Sequence, residues 1–229
     1  MHNTIFLATK IIGAIFLKKG KNLKIFNKRS VFIGKEVIIG NNVTIYENNR
    51  IEGNTIIKDG ATILPNCYIL DCVIDENTTI NHSQAEKSII GKSCSIGPFA
   101  RLRPNTVLEN NVKIGNFVEV KNSHVKNGTK ISHLAYVGDA NVGEDCNIGC
   151  GAIFVNYDGN NKHRSIIGNR CFIGSNCNVI APVKIDNDVY VCAGTTVTND
   201  HASGDFVIGR VRESVKANRA YEYLKKEKK

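Results

Sequence analysis

Tryptophan is absent from this chain, and aromatic residues make up only 7% of its 229 positions. That composition excludes a core built on large rings and suits a narrow interior lined by branched aliphatics. Cysteines paired at C-x-x-C spacing are also missing, so the eight cysteines suggest no zinc site. Disulfide scaffolds are usually far shorter than this chain. Cys67, Cys94, Cys146, Cys171, Cys177 and Cys192 mostly occupy repeat positions, as small apolar side chains would, and are expected to be reduced cytosolic thiols. No apolar run is long enough to span a bilayer. The best candidate, Thr4 to Leu17, is interrupted by Lys10 and is followed by no small-residue cleavage site. A short amphipathic helix is expected there, with membrane contact the minority reading. No aromatic-interleaved basic stripe accompanies the net charge of +9, so nucleic acid is not an expected partner. Part of that charge is a basic tail (Lys225, Lys226, Lys228, Lys229), and the rest suits attraction of phosphorylated small molecules.

What is present is a beat. An aliphatic recurs every sixth residue as Ile33, Ile39, Ile45, Ile51, Ile57, Ile63 and Ile69. It returns as Ile90, Ile96, Leu102, Leu108, Ile114 and Val120, and again from Ile167 through Ile173, Val179, Ile185 and Val191 to Val197. Helices and half-buried strands have periods of about 3.6 and 2, so neither sustains this spacing. A short fixed period marks a solenoid of hexapeptide repeats. Each unit supplies one short strand and one turn, three units close a triangular coil, and pairing runs in parallel between coils. Gly and Asn gather at the corners, as at Gly40, Asn41, Gly97 and Gly115, where positive φ is tolerated. The chain divides into a helical lead-in at 1–30, the repeat at 31–199, and a tail at 200–229 with a helix from about Glu213. The spacing leaves the hand of the coil open.

Departures from the beat mark where chemistry resides. Five-residue steps occur near Ile69–Ile74 and Val120–Val125, and a polar stretch from Val155 to Ser165 breaks the period altogether. Insertions on one face of a solenoid often carry function. Arg103 and Lys121 lie one eighteen-residue coil apart, Asp139 lies one coil further, and His133 and Tyr136 fall near that level. Cations beside an imidazole suit a phosphorylated substrate carrying a group that must lose a proton. A histidine ordinarily titrates near ~6.5 and can take a proton at cytosolic pH, and Glu119 could orient its ring. His82, His124 and His133 lack the close spacing of a metal site.

These residues also carry a resemblance. The run Gly97-Pro98-Phe99-Ala100-Arg101-Leu102-Arg103-Pro104, the segment Gly115 to Lys121, His133-Leu134 with Tyr136 to Ala140, and Asn156-Tyr157-Asp158-Gly159 are similar to one family. It is the acetyltransferase half of bacterial GlmU, a bifunctional uridyltransferase and acetyltransferase. The resemblance covers roughly residues 10–212. It implies a left-handed parallel β-helix with short terminal helical segments, assembled as a homotrimer with sites between subunits. It implies acetyl transfer from acetyl-CoA to the amine of glucosamine 1-phosphate in the cytoplasm, with no metal required. By match of motif, His133 would be the general base, Glu119 its support, and Asn156 an amide donor to the oxyanion. Arg103, Lys121, Tyr136, Asn147 and Lys162 would hold the sugar phosphate. Cys150, Asn156, Tyr157, Ser175, Ala193 and Arg210 would meet acetyl-CoA, with Cys150 standing where the family usually has alanine. No Gly-rich nucleotide-binding start is present, so uridylyl transfer is not expected; a separate uridyltransferase remains open as a partner. The alternatives are the same chemistry on another amino sugar, or a non-catalytic trimeric scaffold.

Overall fold

The computed structural model describes residues 20–224, and over them the chain winds into a parallel β-solenoid, a left-handed β-helix of hexapeptide repeats. Three sheets of eleven, ten and nine strands form its sides. Sheet 1 runs from Lys24–Ile25 to Phe206–Val207, sheet 2 from Phe32–Ile33 to Thr196–Val197, and sheet 3 from Ile38–Ile39 to Lys184–Ile185. The chain visits them in that order on every coil, and every pairing between these strands is parallel, as in Ile51↔Ile69 and Ile114↔Ile131.

The aliphatic of each repeat points inward and meets its counterpart one coil away. Ile45, Ile51, Ile57, Ile63, Ile69 and Ile74 have no exposed surface. Burying each such side chain contributes about 1.5–3 kcal/mol relative to leaving it in water. One ring does enter this interior: Phe154 is fully buried, in the coil that carries the long insertion. Polar corner groups inside the coil are mostly paired from coil to coil, the buried Ser165 hydroxyl being an exception. Thr129 Oγ1, for example, donates to Gly143 O at 2.7 Å and accepts from Cys146 N–H at 3.0 Å. Many corners hold Asn or Asp at positive φ, among them Asn105, Asn122 and Asp139, because short polar side chains tolerate the left-handed region.

The coil extends past both ends of the 31–199 span. Lys24–Ile25 pairs with Thr44–Ile45, and Phe206–Val207 pairs with Tyr190–Val191. These end strands fall off the six-residue beat because a 3-10 turn at Lys28–Ser30 and the segment 198–205 intervene. The helix expected from about Glu213 is a single 3-10 turn, Arg219–Glu222, on a stretch that is exposed throughout. A helix with no surface to pack against is marginal at this length. Most of the helical lead-in expected at 1–30, including Thr4 to Leu17, lies outside the described residues. Among the described residues no helix is long and apolar enough to cross a membrane.

Candidate active site

Sheet 2 and its two edges carry nearly all the residues singled out above. At the edge shared with sheet 1, the corner positions stack into a column. Leu134 N–H donates to Asn116 O at 2.9 Å, and Gly151 N–H to Leu134 O at 2.8 Å. Asn176 N–H donates to Cys150 O at 2.8 Å, and Gly194 N–H to Ser175 O at 2.8 Å. His133, Cys150, Ser175 and Ala193 are therefore neighbours on successive coils, and all four are exposed. Arg210 completes the column by donating from Nη1 to Ala193 O at 2.8 Å. At about 4.8 Å per coil the column gives roughly 19 Å of open corner.

His133 ends the sheet 1 strand Lys130–His133, and its register partner is Asn116, one coil below. Their side chains meet with Nδ1 and Oδ1 2.8 Å apart. Because Oδ1 can only accept, the contact is made when Nδ1 carries the hydrogen, the tautomer that places the lone pair on Nε2. Glu119, expected to support this ring, is turned elsewhere. It begins the sheet 2 strand Glu119–Lys121, around the corner from His133, and accepts from Arg103 Nη1 at 2.8 Å. Asn116 holds the position instead.

The edge between sheets 2 and 3 collects the cations. Lys121 ends its strand opposite Gly138 rather than Asp139, because the five-residue step after Val120 shortens that coil to seventeen residues. The Lys121 ammonium is held below its ordinary range first by contact with Lys162, then by desolvation and by the charges of Lys162 and Arg103, against the pull of Asp139. Two lysines and an arginine thus crowd one place with two carboxylates near them, Glu119 ion-paired to Arg103 and Asp139 beside Lys121. Such a group is suited to a multiply charged anion. Tyr136 lies flat across this side of the sheet. A Cβ on Gly138 would come within 2.4 Å of the Tyr136 hydroxyl, so only glycine leaves room for the ring.

The insertion is a hairpin spanning residues 156–164, with Tyr157 and Lys162 bridged antiparallel. Asp158 organises its tip: Oδ1 accepts from Asn160 N–H at 2.7 Å and from Asn161 N–H at 2.6 Å, and Oδ2 lies 2.6 Å from His163 Nε2. These backbone bonds, with His163, hold the Asp158 carboxyl far below the usual carboxylate range. Tyr157 is exposed, and its hydroxyl donates to Gly159 O within the hairpin. Asn156 is buried at the hairpin's base. Its Nδ2 donates to Asp139 Oδ2 and approaches the Tyr136 hydroxyl at 3.5 Å. The amide hydrogens expected to serve an oxyanion are therefore already engaged. Asn147 stands apart from both groups, outward on sheet 1 between Lys130 and Phe172.

Sequence reasoning missed Asn116, and it used Asp139 only as a marker of level. The available signal was coil spacing: Asn116 precedes His133 by one seventeen-residue coil.

A family model described as GMPPB C-terminal domain matches residues 84–157, and one described as bacterial transferase hexapeptide (six repeats) matches residues 164–199. Bifunctional protein GlmU of Clostridium acetobutylicum is 47% identical over 162 residues, covering 71% of this chain and 36% of that protein. The Caldicellulosiruptor saccharolyticus protein of the same name is 52% identical over 149 residues, covering 65% and 32%. The chain thus spans about a third of the length of the curated relatives it matches. Among solved structures, PerB from Caulobacter crescentus, in complex with CoA and GDP-perosamine, is 22% identical over 55% of this chain and 51% of its own, with a TM-score of 0.37. LpxA from Acinetobacter baumannii is 14% identical over 81% and 68%, with a TM-score of 0.34. Over the matched span, this chain is a hexapeptide-repeat β-helix whose sequence fits the acetyltransferase half of GlmU.

Proposed function

We propose that the protein transfers acetyl from acetyl-CoA to the amine of glucosamine 1-phosphate in the cytoplasm, with residues 31–199 as the catalytic unit. The observation that carries this reading is the contact of Lys121 with Lys162 beside Arg103, an arrangement that a sugar phosphate would neutralise. The 47% identity to GlmU supports the same substrate class.

In this reading the exposed corner from Cys150 to Arg210 receives acetyl-CoA and delivers its thioester toward His133. The phosphate sits among Arg103, Lys121 and Lys162, and Tyr136 bounds the sugar. The sugar ammonium gives a proton to His133 Nε2 while Nδ1–H stays on Asn116. The freed amine attacks the thioester carbonyl, and collapse of the tetrahedral intermediate expels the CoA thiolate, which takes one proton from the imidazolium. The second proton of the former ammonium leaves the nitrogen for solvent, so each turnover releases one H+. No acyl-enzyme forms, so the Cys150 thiol is not a nucleophile. The two residue groups occupy opposite edges of sheet 2 in one chain, which supports a homotrimer whose sites combine edges from neighbouring subunits.

Thiol release with acetyl-CoA and glucosamine 1-phosphate is the direct test. Turnover is expected, with a loss of about 10²–10⁴ in His133→Ala. Absence of both turnover and acetyl-CoA binding would leave a scaffold and overturn the reading.

A further inference from the structure

Asp139 is a buried carboxylate, 6% exposed, at the edge between sheets 2 and 3. Both of its oxygens go to side-chain amides: Asn122 Nδ2 donates to Oδ1 and Asn156 Nδ2 donates to Oδ2. Its backbone is equally engaged. Asp139 N–H donates to Lys121 O at 3.0 Å, and Asp139 O accepts from Ser165 N–H at 3.2 Å. Asn156 and Ser165 flank the hairpin, so one residue ties both of its ends. Arg164 adds a second tie to the same corner, donating to Asn122 O at 3.1 Å and to Asn141 Oδ1 at 2.9 Å.

The chemistry of this arrangement is directional. A carboxylate only accepts, so it obliges Asn156 to present its NH2 to Asp139 and leaves Oδ1 as the atom turned away. A neutral amide at 139 would impose no such choice, and its hydrogen bond would be about half as strong.

We infer that Asp139 is a positioning residue: it fixes the Asn156 amide so that Oδ1 accepts from the acceptor amine, and it pins the hairpin that brings Lys162 to Lys121. The amine-facing part rests on the acetyl-transfer reading; the anchoring part does not. Asp139 has φ 48°, which asparagine also tolerates, so Asp139→Asn changes the charge without straining the corner.

The test uses the full chain. In Asp139→Asn, trypsin is expected to cut after Lys162 or Arg164 about tenfold faster, the loss of roughly one charge-assisted hydrogen bond. The kcat is expected to fall about 10- to 100-fold while KM for acetyl-CoA stays within about twofold, as for a misplaced acceptor. Adding Asn156→Ala should cost nothing further, because the two residues act as a unit. Unchanged cleavage and kcat, or losses that multiply in the double variant, would overturn the inference. Should Asp139→Asn fail to fold, the exchange Asp139→Asn with Asn156→Asp restores an amide–carboxylate pair. Trypsin resistance then returns if the pair is an anchor, and continued cutting refutes it. A wild-type protein that releases no thiol sinks the acetyl-transfer reading and the amine-facing role with it, while the trypsin comparison still decides the anchor.

Discussion

Asn116 accepts the Nδ1 hydrogen of His133 across 2.8 Å from the coil below. The contact favours the tautomer that carries its hydrogen on Nδ1 and its lone pair on Nε2. A carboxylate in the same place would stabilise the imidazolium, whereas the amide carries no charge with which to do so.

Asn116→Asp is therefore expected to move the acidic limb of the kcat/KM profile up by about one pH unit, since the added charge favours the protonated ring. Asn116→Leu should lower kcat about tenfold by freeing the tautomer. A pH–rate profile of each variant checks both; an unmoved limb in Asn116→Asp removes Asn116 from the mechanism.

Lys121 titrates below its ordinary value because Lys162 and Arg103 oppose its charge. An anion bound among them raises that value again. Between the lowered value and the ordinary one near ~10.4, binding takes up a proton, so affinity falls as pH rises through that window. Calorimetry of glucosamine 1-phosphate in two buffers of different ionisation enthalpy counts the proton. For folding the dependence on pH runs the opposite way. The unfavourable Lys121 charge is fully present below the lowered value and disappears above the unfolded one, so Lys162→Gln should melt slightly higher at pH 7 and show no such gain near pH ~11.

Cys150 is the exposed thiol among eight, and the other seven are buried. Burial pushes Cys67 up to about 11 and Cys72 up to about 12, which keeps both unreactive. Native protein should react rapidly at one thiol per chain, and Cys150→Ala should abolish that phase. Saturating acetyl-CoA is expected to slow it about tenfold or more, by mass action at an occupied corner. Labelling rates that ignore acetyl-CoA would place its binding elsewhere.

Phe154→Ala empties the one ring position of the core among the described residues and is expected to cost about 3–5 kcal/mol in urea unfolding. The cavity lies in the strand Ile153–Val155 that leads into the hairpin, so turnover should fall as well. A cost below about 1 kcal/mol would mean that neighbouring coils collapse into the space.

The coil is legible from Ile33 to Ile69 because one inward aliphatic per six residues survives variation at every other position. Its ends are hidden, since Ile25 and Val207 pack inward but fall out of step. The cationic group was legible in part: eighteen-residue arithmetic joins Arg103 to Lys121, but the short step after Val120 puts the next coil at Gly138. Lys162 reaches the group through a hairpin whose path no periodicity describes. Asn116 could not be told apart from ordinary corner chemistry until the register placed it under His133. The pairing of Glu119 with Arg103 was hidden for a related reason: a motif match says nothing about which side of a triangular coil a residue occupies.

Each coil touches only the coil above and the coil below, so the solenoid loosens from its ends inward. Phe206–Val207 and the Arg210 contact to Ala193 belong to the last turns, whereas His133 and Asn116 lie several turns inside. Fraying therefore erodes the Arg210 end of the exposed corner first and reaches His133 and Asn116 last. If the acetyl donor binds along this corner as proposed, its affinity is the first property expected to go on gentle heating, reversibly, while His133 and Asn116 are still in place.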